Sequence, residues 1–459
     1  MRICRNMTKF FTDAAILLLI IAQLLAAGEM EESSLTELPY AAAPVDNPLK
    51  GLVPYSGSSA ANRFPHSMEF GYLPLGDLMK GEQKFDWQPL EKLLNAAAGR
   101  GHQLTFRIWI EYPGRTEGIP EFLKKGGLKV VDWEYTNTAP FPVKNILTPD
   151  YEDPKLIAAL ESFIDAFGRK YDGDPRIACI TAGLLGAWGE WHTYPRPELM
   201  ASKKVQRRVL KAYADAFKTT QVLLRYPADK HNDSYAANDE LPLGYHDDSF
   251  AWGTLDTGKA DDDWFYMSLL GAAGEGAKNK WKRQMIGGEV RPEVWAIIFD
   301  KSVDHAQAQD FDECVRQTHV SWLLETGMFS EDQPPERVRR AKAKVARMGY
   351  EFHIAKVGLR DDQLTVVIRN TGVAPFYYDW PVELAELAAE APKIRRIWQA
   401  AWKITGILPG ESRTWKLKLD GEVGSLAIRI RNPMKGGKPL RFANAKELQL
   451  NSGWLLLVE

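Results

Sequence analysis

Cysteine is scarce. The 459 residues hold 3, and once Cys4 is set aside with the N-terminal leader only Cys179 and Cys314 remain. Two thiols exclude the disulfide framework of small secreted domains. Cys179 lies inside an apolar run, the setting of a buried thiol rather than a nucleophile. Excess charge is missing too. The 58 Lys and Arg against 60 Asp and Glu leave a formal charge of -2, so nothing electrostatic draws the chain to nucleic acid or an anionic membrane. No glycine-rich dinucleotide fingerprint follows the first expected strand, and no GxSxG nucleophile elbow is present. The histidines lack the helical or ribbon spacing of a zinc site.

The apolar run near the start, Ala14 to Ala27, has 14 residues, short of the roughly 20 that span a bilayer. Arg2, Arg5 and Lys9 precede it and Ala26-Ala27-Gly28 follows it, the order of a signal peptide over 1–28. The expected location is therefore secreted or periplasmic, with an uncleaved N-terminal anchor as the alternative. Residues 29–45, acidic and then Ala-rich, read as a flexible linker. Tryptophan is plentiful, with 15 in the chain. Indoles fill cores, and they also stack flat against sugar rings.

From 46 to 348, apolar strand-like runs alternate with helical periodicity. Strands are expected at Met68–Tyr72, Gln103–Ile110, Leu128–Trp133, Ile177–Leu185, Gln221–Tyr226, Leu243–His246, Gln284–Glu289 and His319–Leu324. Strands that are apolar throughout belong to a parallel sheet covered on both faces. Eight such units predict an α/β fold, a (β/α)8 TIM barrel. From 349 to 459 short alternating strands separated by turn signals such as Asn370-Thr371-Gly372 predict an all-β, immunoglobulin-like sandwich.

Barrels carry their chemistry on the loops after the carboxyl ends of the strands. Glu190, in Trp188-Gly189-Glu190-Trp191, is expected to have a raised pKa because indoles solvate a carboxylate poorly. Glu289 ends the run MIGGE, where Gly287 and Gly288 leave room for a close approach. Counted along the chain, they follow strands four and seven. Cleavage of a glycosidic bond needs such a pair, one to protonate the leaving oxygen and one to attack or to activate water. The expected substrate contacts are Arg107, Trp188, His192, Arg225, Tyr245, His246, Asp247 and Trp322, with Trp188 and Trp322 as stacking surfaces. Asp247 and Asp248 with Asp261 to Asp263 lack the ordered spacing of a calcium loop. Neither metal nor cofactor is expected, and the partner is a carbohydrate.

The carboxylate pair after strands four and seven resembles the clan A glycoside hydrolases. That resemblance implies Glu190 as acid/base and Glu289 as nucleophile of a retaining enzyme. Clan members usually have Asn before the acid/base, where this chain has Gly189. The segment GLLGAWGEWHTYP also resembles the strand-four segment of β-amylases, which invert. NPLKGLVPY and NTGVAPFYYDWPVEL resemble segments of secreted bacterial proteins carrying domain of unknown function 4832. Three readings stay open: a glycosidase, retaining or inverting; a carbohydrate-binding barrel without catalysis; and another barrel enzyme, such as a lyase or esterase.

Overall fold

The computed structural model describes residues 34–58, 63–136, 143–388, 393–421 and 423–458, so the expected signal peptide lies outside the described residues. Eight strands form one parallel sheet. They are β1 (Gly51–Val53), β2 (Met68–Pro74), β3 (Gln103–Trp109), β4 (Ile177–Thr181), β5 (Val222–Leu224), β6 (Gly244–Phe250), β7 (Ile286–Val290) and β8 (Trp322–Leu324). Each pairs with its sequence neighbour, and β1 pairs with β8. The gap between β1 and β2 is closed just beyond β1. There Phe70 N–H donates to Pro54 O at 2.8 Å and Ser56 N–H to Phe70 O at 2.7 Å. The sheet therefore curls into a barrel.

Two differences from the expected strand order cancel. The expected third strand, Leu128 to Trp133, falls on the first arm of an antiparallel hairpin outside the barrel, Val130–Tyr135 paired with Lys144–Pro149. Its first arm leaves Val131, Asp132 and Glu134 exposed, which no strand buried on both faces can do. The true first strand, Gly-Leu-Val, is too short to show a period. Strand numbers from Ile177 onward are unchanged.

The helices outside the barrel are set by caps and stripes. Asp153 accepts from Lys155 N–H at 2.7 Å and Pro154 opens α1 (Pro154–Tyr171), whose Leu156, Leu160, Phe163, Ile164 and Phe167 are buried. Ser202 caps α2 (Lys203–Ala216) through Val205 N–H, and Val205, Val209, Leu210 and Tyr213 pack inward. Each such side chain contributes roughly 1.5–3 kcal/mol. Among the described residues no helix is long and apolar enough to cross a membrane.

Beyond the barrel lie two four-stranded antiparallel sheets. One holds β9 (Phe352–Arg360), β10 (Gln363–Asn370) and β13 (Ser412–Lys418); the other holds β11 (Val382–Leu387), β12 (Ile394–Ala400), β14 (Leu426–Ile430) and β15 (Leu455–Val458). The segment read as a linker supplies the first sheet's remaining strand, since Thr36 and Glu37 pair with Val357 and Lys356 of β9. The short β-rich pattern there was masked by its acidic and alanine-rich surroundings.

The lower interior of the barrel and the core between these sheets are continuous. Phe70, Cys179, Leu223, Met285 and Trp322 share one buried cluster with Tyr350, Phe352, Phe376 and Trp380. Tyr378 reaches between two barrel strands, donating to Ala178 O and accepting from Gln221 N–H at 3.1 Å. The N-terminal end of the barrel is thus sealed, and polar groups collect at the other end.

Candidate active site

Strand alternation selects which side chains enter the barrel. On β3, Leu104, Phe106 and Ile108 pack outward with the helices, while Thr105 bonds Cys179 and Arg107 bonds Thr181 across the interior. On β6, His246 and Asp248 turn inward beside Arg107. Tyr245 turns outward, donating to Asn238 Oδ1 at 2.8 Å. Asp247 is taken by Thr254 Oγ1 at 2.6 Å and by Ser249 N–H at 2.9 Å. On β7, Gly287 faces Trp322 and Glu289 stands one layer higher. A Cβ at 287 would lie 2.3 Å from the Trp322 indole, so that glycine makes room for packing rather than for a ligand.

After β4 the chain folds back across the barrel mouth. Leu184, Trp188 and Trp191 all have positive φ (73°, 54° and 61°), as do Gly186 and Gly189. A left-handed non-glycine residue costs roughly 1–2 kcal/mol, so the turn needs external support. Leu184 N–H donates to Ile108 O at 2.8 Å, Trp188 N–H to Glu111 O at 2.9 Å, and Gly186 N–H to Tyr151 Oη at 2.8 Å. The Glu111 carboxyl, fully buried, accepts from Thr148 and Tyr151. Burial pushes its pKa up to about 7 against those two bonds. A Cβ at Gly189 would stand 3.1 Å from Gly183 Cα and 3.4 Å from Arg107 Cδ. Together with φ 73°, that explains glycine where the clan A pattern has Asn.

This turn delivers Glu190 into a cluster of charges. Arg107 Nη1 donates to Glu190 Oε1 at 2.8 Å and Arg107 Nη2 to Asp248 Oδ1 at 2.9 Å. Arg225, just past β5, donates to Glu190 Oε2 at 2.7 Å, and its Nε lies 3.3 Å from Asp248 Oδ2. His192 Nε2 is 3.6 Å from Glu190 Oε2. His246 Nδ1 is 2.6 Å from Asp248 Oδ1. Burial lowers the His246 pKa, so the neutral ring donates a hydrogen bond from Nδ1–H to Asp248. Glu190, Asp248 and Glu289 each place a carboxylate oxygen within 4.8 Å of the other two.

The two glutamates are pushed opposite ways. Burial and Asp248 act to raise Glu190, but His192, Arg107 and Arg225 outweigh them, and its pKa is lowered. Burial raises Glu289 well above the usual carboxylate range, with Glu190 and Asp248 adding to it and the arginines failing to compensate. Charge balance says the same: two guanidiniums already match Glu190 and Asp248, so a proton on Glu289 leaves the cluster neutral. Among the described residues the Glu289 carboxylate makes no hydrogen bond or ion pair.

This corrects the expectation for Glu190. Trp191 points into the core, 2% exposed, with its Nε1 donating to Ala182 O. Trp188 packs edge-on to Tyr135 at 5.1 Å, and His192 and the arginines rather than indoles set the local field. Of the expected residues, Glu190, Glu289, Arg107, His192, Arg225 and His246 converge, and Trp188 lies at the rim. Tyr245 and Asp247 occupy the outward positions of β6 and stay out of the cluster, although Asp247 lines a cleft beside it with Asp248 and Ser249. Trp322 is fully buried beside His246, so it fills the barrel and presents no stacking face. Asp248 belongs to the cluster and is not among the expected substrate contacts. Tyr55, Tyr72, Tyr112 and Tyr135 also feel the glutamate charges, though burial is the main cause of their raised pKa values. Tyr72 could have been found from alternation on β2.

A cation among Glu190, Asp248 and Glu289 would face two guanidiniums, which already supply the positive charge. The acids once grouped around calcium do not converge. Asp247 and Asp248 engage different partners, and Asp261 and Asp262 sit on an exposed turn. A second group, His66, Glu69 and His102, lies at the opposite end of the barrel. There Arg100 holds both Glu69 oxygens, at 2.7 and 2.5 Å.

No family model and no curated protein matches this chain. Among solved structures, it is similar to a family 39 glycoside hydrolase from the gut symbiont Bacteroides cellulosilyticus WH2. The identity is 10%, covering 82% of each chain, with a TM-score of 0.38. It is also similar to a putative α-N-acetylgalactosaminidase from Bacillus halodurans C-125, at 10% identity over 84% of this chain and all of that one, TM-score 0.32. A third is a family 30 subfamily 8 xylanase from Clostridium acetobutylicum, at 8% identity over 83% and 95%, TM-score 0.30. These scores are too low to carry an assignment, and the barrel rests on its own strand pairing.

Proposed function

We propose that this protein is a glycoside hydrolase that cleaves O-glycosidic bonds of an oligosaccharide or polysaccharide with retention, using Glu190 and Glu289. One observation carries the reading. Two carboxyl groups with oxygens within 4.8 Å of each other have their pKa values driven in opposite directions at the mouth of a parallel barrel. Retaining glycosidases space their pair at about 5–5.5 Å, whereas inverting ones need about 6.5–9.5 Å to admit water. Oxygens within 4.8 Å of each other agree with the closer spacing of a retaining pair, and this supports the retaining reading.

The electrostatics exchange the roles that the clan A resemblance implies. Protonated Glu289 gives its proton to the leaving oxygen as the bond from that oxygen to the anomeric carbon breaks. Ionised Glu190 attacks the same carbon and forms a glycosyl ester. Arg107 and Arg225 lose one counter-charge in this step and keep Asp248, which stabilises them until water, deprotonated by Glu289, releases the sugar. The leader-like N-terminus supports export, and we read the two C-terminal sheets as an immunoglobulin-like sandwich. One feature favours a second reading, a barrel that binds carbohydrate without cleaving it: both Glu190 oxygens are already held by guanidiniums.

The test is hydrolysis of a glycan panel by wild type, Glu190→Ala and Glu289→Ala with added azide. Azide should rescue Glu190→Ala as the glycosyl azide of inverted configuration and Glu289→Ala as the retained one. The opposite pattern would restore the clan A roles. A wild type inactive on every glycan it binds would leave the non-catalytic reading.

A further inference from the structure

Beside the glutamate pair, a small cleft with room for about one water-sized group lies between the ends of β5 and β6 and the segment 253–269. Its lining includes Arg225, His246, Asp248, Ser249, Trp264 and Tyr266. Among the described residues four buried polar atoms of this lining, His246 Nε2, Asp248 Oδ2, Ser249 Oγ and Tyr266 Oη, make no hydrogen bond, and of these only Asp248 Oδ2 has an ion-pair partner, Arg225 Nε at 3.3 Å. Their residues are 1%, 8%, 3% and 4% exposed. Buried polar groups are rarely left in this state, and a cluster of them at one cavity requires an explanation. At the rim, Trp264 is 44% exposed. Its ring is seated where a Cβ at Gly253 would stand 2.9 Å from it, so it is held in place.

The chemistry of these atoms defines what they can accept. With Nδ1–H donating to Asp248, His246 Nε2 offers a lone pair. Asp248 Oδ2 is likewise an acceptor, while the Ser249 and Tyr266 hydroxyls both donate and accept. An occupant must therefore bring hydrogen-bond donors. It must also lack negative charge, since Asp248 is held well below the usual carboxylate range by Arg107, His246 and Arg225 against its burial. A hydroxyl-bearing arm meets both conditions. A carboxylate or sulfate does not.

Resting on the glycosidase reading above, we infer that this cleft is a specificity pocket for a neutral, hydroxyl-bearing substituent of the sugar cleaved by the pair, with Trp264 covering its apolar face. The hydroxymethyl group of a hexose is the simplest such arm. The pocket selects hexoses over the matching pentoses and rejects uronic acids. A site built to bond a hydroxyl discriminates strongly against the analogue without it, because its own buried groups then go unpaired.

The experiment uses the full chain carrying Glu190→Gln and Glu289→Gln, so that binding is read without turnover. Glucose, galactose and mannose are titrated by calorimetry alongside xylose, arabinose and glucuronic acid, then repeated with Ser249→Ala and Tyr266→Phe added. The expected result is at least one hexose bound tenfold or more tighter than its pentose counterpart, with no binding of the uronic acid. Tyr266→Phe and Ser249→Ala should each shrink that ratio while leaving pentose affinity unchanged. Equal binding of pentose and hexose, or uronic acid bound as well as hexose, overturns the pocket. Discrimination that survives both hydroxyl deletions overturns it as well. Failure of every sugar to bind overturns the pocket and leaves the glycosidase reading to the glycan panel. Wild-type hydrolysis of xylosides and glucosides at equal kcat/KM removes the pocket and leaves the glycosidase.

Discussion

Replacing each glutamate by its neutral isostere should move stability in opposite directions. Glu190 accepts from Arg107 and Arg225 at 2.8 and 2.7 Å, with the glutamate and Arg225 side chains only 13% and 15% exposed. With charge centres about 4 Å apart and an effective dielectric of about 20, each attraction is roughly 4 kcal/mol. Removing one partner of a buried pair costs about 3–5 kcal/mol. Asp248 continues to face both arginines, so Glu190→Gln should lie near the lower end, about 3 kcal/mol. Because the folded pKa of Glu190 is lowered, that stabilisation is present above the unfolded value and is lost as pH falls through the folded one. The deficit of Glu190→Gln should be full at pH 7 and narrow below about pH 4. Glu289 is the reverse case. Its raised pKa means the fold keeps a proton that the unfolded chain releases above about pH 4.3, so wild-type stability falls as pH rises from there. Glutamine has no proton to lose. Glu289→Gln should therefore melt above wild type at pH 7, and the gain should fade toward about pH 4. Thermal melts of the three proteins from pH 4 to 8 decide this. Equal destabilisation by both substitutions, or differences that ignore pH, would refute the opposite protonation of the pair.

Three further outcomes follow from the same geometry. The kcat/KM profile on any cleaved glycan should be flat from about pH 5 and fall only on the alkaline side, as Glu289 loses its proton while Glu190 stays ionised; an acid limb above about pH 5 would show that the arginines do not hold Glu190 ionised. Gly287→Ala puts a methyl group 2.3 Å from the Trp322 indole and should cost about 1–3 kcal/mol in urea unfolding, partly recovered by adding Trp322→Phe; a neutral effect would mean the indole is free to move. Tyr378→Phe removes the acceptor of Gln221 N–H and the donor to Ala178 O and should cost about 1–3 kcal/mol, whereas an unchanged unfolding midpoint would show that the sandwich does not brace β4 and β5.

The barrel was legible because its strands are apolar throughout and its helices carry clean stripes. What escaped was local or long-range in particular ways. Gly51–Val53 offers three residues and no period, and its role is set by neighbours far along the chain, Pro54 to Phe70 and Val53 to Leu324. On β6, one inward residue fixes the rest: with His246 facing in, Asp248 follows and Tyr245 and Asp247 are excluded, an argument open to the sequence but missed. The sign of the Glu190 shift was not open to it. Two tryptophans adjacent in sequence implied poor solvation, yet the groups that lower the Glu190 pKa are His192 and, 83 and 35 residues away, Arg107 and Arg225. Proximity in sequence misjudged the field because a closed barrel brings every strand end to one place.

The start of the barrel is secured by the end of the chain. Asn47 and Arg441 exchange two hydrogen bonds, at 2.8 and 3.0 Å, across 394 residues. Lys50 is buried against Tyr350 O at 2.9 Å, and Thr36 and Glu37 pair with β9. A chain made at about 5–20 residues per second takes roughly 20–80 s to reach Arg441 after Asn47 has been made. Over that interval Asn47 and Lys50 lack their C-terminal partners, while β2 already has β3 along one edge. The first barrel strand to be synthesised is thus the last to gain its partner in the sheet, β8.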